Sequence, residues 1–162
     1  MHLPIVILHA VDKPLSSKEL QNIKEENLSL EDCYNYCRHG FDYVGYEYEE
    51  LDSNNISSIY DDHIFELVKK DEEHNINHVF RIKPGALEYI SKQKITQLNT
   101  LMSKITPDNF KQYYSDLENA IIEKFDTFIA ENDAIYLLDE WLLSEAEEGQ
   151  LYQIIQAFDS HL

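Results

Sequence analysis

The sequence predicts an α+β fold: a small mixed or antiparallel sheet in the N-terminal half, packed with a helical C-terminal half. Three observations carry this expectation. Apolar and β-branched runs bounded by turn residues occupy residues 1–85. Apolar residues at three- and four-residue steps dominate 86–162. Only four Gly and four Pro occur in 162 residues, too few for a loop-rich sandwich. No Pro/Ser/Gly linker separates the halves, so one domain over 1–162 is expected, strand-rich to 85 and helical from 86.

Met1 to Val11 reads as a first strand. Its apolar core, Leu3 to Leu8, falls far short of the ~20 residues that span a bilayer. It also lacks the flanks of a secretory signal. Ser16 and Glu19 form a capping box, with Leu15 and Leu20 as the hydrophobic staple, and the helix is expected to end near Asn27. Ser29 caps a second helix with Gly40 beyond its end. Phe41 to Leu51 suits a strand with Gly45 as a bulge, and Asp52 to Asp62 is a polar connection. His63–Lys70 and Ile76–Lys83 form a hairpin, closed by Pro84-Gly85.

From Ala86 the period is helical. Ile95, Leu98, Leu101, Met102 and Ile105 mark one face. Thr106 with Pro107 starts another helix. Phe110, Tyr113, Tyr114, Leu117, Ile121, Phe125 and Phe128 extend it to about Glu131, as one helix or two joined near Ser115. Asp133 caps a segment with Leu137, Leu138 and Trp141. Ser144 and Glu147 then begin a final helix whose face is Leu151, Ile154, Ile155 and Phe158.

Composition narrows function. The 31 acidic and 13 basic residues leave a net charge of −18. Residues 1–62 carry net −9, 63–115 net +2 and 116–162 net −11. Without a basic stripe to release counterions, neither nucleic acid nor an anionic membrane is an expected partner. Two cysteines make no disulfide framework, and a cytoplasmic location is expected.

Motifs that would fix a reaction are missing. Cys33, Cys37 and His39 amount to part of a zinc ligand set, but Leu30, Cys33, Tyr34 and Cys37 also form an ordinary buried helix stripe. His74 and His78 have ligand spacing without the glutamate of a zinc protease. Asp61, Asp62 and His63 could gather a metal or serve hydrolysis, although a solvated acidic turn is commoner. No metal or other cofactor is expected. A dispersed active site would leave no local signature.

The most informative stretch is Asp42 to Asp62, with seven acids and no Lys or Arg. Tyr34, Tyr36, Tyr43, Tyr46, Tyr48 and Tyr60 run through or beside it. Tyrosines suit a half-buried strand, and they also supply rigid contact area at binding hot spots. The expected partner surface is therefore Asp42, Tyr46, Glu47, Tyr48, Glu49, Glu50, Asp52, Tyr60, Asp61 and Asp62, facing a basic protein. Small acidic non-catalytic proteins that neutralise bacterial nuclease toxins are the class this composition fits best. A nucleic-acid mimic that blocks DNA-binding proteins, an enzyme of unrecognised family, and a structural adaptor are the alternatives. The rival acidic surface is Asp116 to Asp159.

Overall fold

The computed structural model describes residues 2–26, 43–51, 61–73, 75–121, 127–132 and 134–161. The strands are β1 (His2–Val11), β2 (Tyr43–Glu47), β3 (Phe65–Lys69), β4 (Val79–Ile82), β5 (Phe128–Glu131), β6 (Ala134–Leu137) and β7 (Leu151–His161). The helices are α1 (Ser17–Glu26), α2 (Ala86–Met102), α3 (Phe110–Ile121) and α4 (Leu138–Ser144). All seven strands belong to one mixed sheet in the order β3-β4-β7-β1-β5-β6, with β2 also paired to β7. The fold is α+β, and its sheet draws strands from both halves of the sequence.

β1 lies inside the sheet, parallel to β5 and antiparallel to β7. Its residues alternate between two cores. Val6 and Leu8 join Ile90, Leu138 and Trp141 under α2 and α4. Ile5 and Ile7 join Leu15, Leu20 and Ile23 under α1. Burial on both faces explains why β1 reads as a continuous apolar run rather than an alternation. The capping box of α1 forms as expected. The Ser16 backbone N–H donates to Glu19 Oε2 at 2.8 Å, the Ser16 hydroxyl does so at 2.6 Å, and Glu19 N–H points back to that hydroxyl at 3.4 Å. Those bonds hold the Glu19 carboxyl below its ordinary pKa.

The β3–β4 hairpin and β2 also form, and the β2–β7 register shifts between Val44 and Glu47, around Gly45. Gly85 precedes α2 with φ +85°, a left-handed conformation that suits glycine. The expected helix at Ser29–Gly40, with Cys33, Cys37 and His39, lies outside the described residues.

Three C-terminal expectations are overturned. The helix beginning at Thr106–Pro107 instead starts at Phe110, after a turn in which Asn109 Oδ1 accepts from Thr106 N–H at 2.7 Å. Its described part runs to Ile121, and Phe128 to Glu131 is a strand beside β1. Leu137, expected in the helical segment, ends β6 in extended geometry at the N-terminus of a seven-residue α4, and Asp133 lies outside the described residues. Most consequentially, Leu151 to His161 is β7, paired with β1 along its full length. Tyr152, Gln153, Ile154 and Ile155 are consecutively buried. A strand covered on both faces loses its two-residue alternation, and its apolar spacing imitates a helix.

β3 is an edge strand with Leu67 and Val68 exposed. A register shift at Val68 and the flanking Glu66 and Lys69 blunt it against strand addition. Glu66 is held by Arg81 at 3.1 Å.

Candidate partner-binding site

β7 divides its outer edge between two strands. β4 pairs with residues 151–153 and β2 with residues 158–161. The backbone between them would lack strand partners, and other groups fill the fork. The Asn77 side-chain amide donates to Ile154 O and Ile155 O, both at 3.0 Å. Ile154 N–H donates to His78 O at 3.0 Å, and Tyr48 N–H donates to Ala157 O at 2.8 Å. Gln153 bridges the layers: its Nε2 donates to Asn77 O at 3.2 Å and its Oε1 accepts from Leu15 N–H at 2.8 Å.

Asn77 is therefore a structural keystone of the fork. Asn77→Ala is expected to leave two buried carbonyls without their donor and to lower stability by about 2–3 kcal/mol. Asn77→Asp should do worse, because it turns oxygens toward oxygens. Urea unfolding of both variants checks this order.

His78 supports the same corner. Its Nδ1 accepts from Asp71 N–H at 3.0 Å and its Nε2 lies 3.3 Å from Leu51 O, which fits a neutral ring donating from Nε2. Burial pushes its pKa below the ordinary histidine value. The side chain is almost wholly buried and edge-on to Phe80, so the His74–His78 spacing does not place His78 on an open surface. His74 lies outside the described residues.

Beside the fork opens a cleft of 570 Å³ between α1 and the chain leaving β2. Gln21 and Lys24 line it from α1, Glu47, Tyr48 and Glu49 from the other wall, and Asn77 beneath. Tyr46 is 62% exposed, with its ring edge-on to the cleft residue Tyr48 at 5.4 Å. Tyr48 is half-buried, and its hydroxyl donates to Asp159 Oδ1 at 3.3 Å. Burial, then the neighbouring Asp159 carboxylate, raises the Tyr48 pKa well above the ordinary tyrosine value. Tyr48 is thus tied to β7, and Tyr46 is the aromatic that faces solvent. Glu47, Glu49 and Glu50 are exposed, with Glu47 accepting from Gln156 Nε2 at 3.3 Å.

Asp61 and Asp62 do not join this group. They lead into β3, whose partner β4 meets the opposite end of β7 from β2. About six residues of strand separate the two sets, roughly 20 Å at ~3.4 Å per residue. Asp61, Asp62 and His63 do gather, with His63 Nδ1 3.1 Å from Asp61 and 3.3 Å from Asp62. Asp61 Oδ1 also accepts from His63 N–H at 2.9 Å, Lys83 Nζ donates to Asp62 O, and His63 stacks on Tyr89 at 5.0 Å. This is an exposed turn knitted by its own bonds. Asp42, Asp52 and Tyr60 lie outside the described residues.

The sequence did not single out Gln21, Lys24 or Asn77 as cleft residues. They come from segments remote from β2, and nothing local in an amphipathic helix or an Ile-Asn-His run marks them as neighbours of Glu47.

The rival acidic stretch is partly committed to the fold. Glu148 Oε1 accepts from Leu87 N–H at 3.0 Å, satisfying a free donor in the first turn of α2. Glu131, Glu145 and Glu147 line a smaller cavity of 210 Å³ with Tyr152. Among the described residues no helix is long and apolar enough to cross a membrane. No protein-family model, no curated protein and no solved structure matches this chain.

Proposed function

We propose that this is an acidic cytoplasmic binding protein that neutralises a basic protein partner, in the manner of an immunity protein against a bacterial nuclease-type toxin. The observation that carries the reading is a 570 Å³ cleft lined by the exposed Glu47 and Glu49 and by Tyr48, with the exposed Tyr46 edge-on to Tyr48 and the exposed Glu50 next in the chain. Carboxylates around a rigid aromatic suit a partner rich in Lys and Arg. The charge accelerates encounter and the ring supplies the short-range contact. The net charge of −18 extends the same attraction over the whole molecule and suits a partner whose own site binds phosphates.

The test uses the product of the gene immediately upstream, the place a toxin gene would occupy. The wild-type chain should bind it and suppress its activity. Glu47→Lys, Glu49→Lys and Glu50→Lys together should slow association by about tenfold or more at low salt, with the loss shrinking as salt is added. Tyr46→Ala should instead mainly raise the dissociation rate. If the triple variant associates normally while Glu145→Lys with Glu147→Lys slows binding, the interface lies at the other end of the sheet. Binding to several unrelated DNA-binding proteins, lost steeply with salt, would favour the nucleic-acid mimic instead.

A further inference from the structure

The helical hairpin α2–α3 combines balanced charge with several exposed apolar side chains. Between Ala86 and Ile121 there are four Lys (92, 94, 104 and 111) and four acids (Glu88, Asp108, Asp116 and Glu118), so this segment is neutral and the entire −18 resides elsewhere. Within the hairpin, Ile95, Met102, Phe110 and Tyr114 are 48–58% exposed. Large apolar side chains on a balanced-charge surface of an otherwise strongly acidic protein form a distinct patch.

The four lie on one side. A cavity between the helices is lined by Gln97, Thr100 and Leu101 from α2 and by Asp116, Asn119 and Ala120 from α3, which defines one side of the hairpin. At about 100° per residue, Ile95 and Met102 share a direction on α2, more than a quarter turn from Gln97, Thr100 and Leu101. Phe110 and Tyr114 share a direction on α3, likewise turned away from Asp116 and Asn119, and their rings meet edge-on at 6.3 Å. Only Ala86 and Ile90 of α2 are buried, so its C-terminal half and α3 carry this face outward.

We infer that this face is where a second copy of the chain docks, hairpin against hairpin, leaving both acidic cleft surfaces free. Charge selects the occupant. A basic partner finds almost no excess of acid here and is drawn to the acidic surfaces instead. Two copies meeting through any strongly acidic face would oppose like charges, whereas the hairpin brings together two near-neutral surfaces, each with three exposed Lys (92, 104 and 111) and four exposed acids. Area sets the strength. The C-terminal half of α2, about 12 Å long, and α3, about 18 Å long, each ~10 Å wide, present roughly 300 Å² in projection, below the ~800 Å² per partner of a standard interface. The dimer is therefore a weak one, which concentration controls.

Sedimentation equilibrium of the full chain between ~5 and ~500 µM tests this. A reversible monomer–dimer equilibrium is expected, tightened by added salt as the remaining charge is screened. Met102→Lys with Tyr114→Lys should weaken the dimer at least about tenfold, with the circular dichroism spectrum and melting temperature retained because both side chains are exposed. Glu47→Lys, Glu49→Lys and Glu50→Lys should leave the dimer intact. A wild-type chain that is monomeric throughout, a dimer indifferent to the hairpin substitutions, or one abolished by the cleft substitutions would each overturn the inference. So would wild-type binding to neutral phosphatidylcholine vesicles that the hairpin substitutions abolish in place of a dimer.

Discussion

Replacing Lys94 by Met is expected to destabilise the protein by about 3–5 kcal/mol, one of the two largest single-residue effects we foresee. Lys94 Nζ lies 2.6 Å from Asp139 Oδ2, with side chains only 14% and 8% exposed. The pair fastens α2 to α4 across the core that holds Trp141 and Leu138. Asp139 Oδ1 meanwhile accepts from Glu140 N–H at 2.9 Å in the first turn of α4. Removing the ammonium leaves a carboxylate buried without its cation. Asp139→Leu alone should cost a comparable amount by stranding the lysine. The double variant Lys94→Met with Asp139→Leu should recover most of the loss, because two apolar groups need no desolvation of charge. A double-mutant cycle in urea measures this. Near-additive losses would show that packing rather than the ion pair dominates.

The second large effect centres on Trp141. Its side chain is 0% exposed and packs edge-on to Tyr152 at 4.9 Å. Its Nε1–H donates to Glu131 Oε2 at 2.7 Å. Trp141→Ala should cost about 3–5 kcal/mol through the cavity alone. It also strips the buried carboxylate of its donor.

Glu131 makes the site pH-sensitive in a defined direction. Burial raises its pKa above the ordinary carboxyl value, the Trp141 bond opposes that shift, and Glu145 adds to it. A carboxyl with a raised folded pKa favours the folded state most when protonated. Its contribution is fully present below the unfolded pKa, near 4.5, and is lost as pH rises through the folded value. Glu131→Gln keeps an acceptor for the indole and removes the charge. It should raise the melting temperature at neutral pH, and the gain should vanish at about pH 4 and below. A gain independent of pH would place its cause outside this ionisation.

Much of this fold was written in local chemistry. The Ser16–Glu19 box, the Leu15–Leu20 staple, the turn at Pro84-Gly85 and the β3–β4 hairpin each follow from a few neighbouring residues, whose hydrogen bonds and backbone angles are satisfied within one turn of chain. The acidic, tyrosine-bearing edge at Tyr46 to Glu50 was legible for the same reason, because charge and aromaticity are properties of composition. The burial of Trp141 followed from its apolar neighbours.

The identity of β7 was not local. Leu151, Ile154, Ile155 and Phe158 satisfy a helical period as well as a strand covered on both faces. Only the company of β1, β4 and β2 decides between them, because those strands supply partners for its backbone N–H and C=O groups. The same holds for Phe128 to Glu131, a strand because β1 offers it a parallel edge.

The cleft too is a tertiary product. It exists where β4 and β2 part along β7, and it brings Lys24 and Asn77 to Glu47 from three remote segments. That fork also separates Asp61 and Asp62 from Glu47, Glu49 and Glu50, although all five sit in one acidic run of sequence. Sequence alone determined which residues are charged, capped and apolar. Tertiary structure decided which of them share a surface, because long-range backbone pairing, and not spacing along the chain, sets the distances between them.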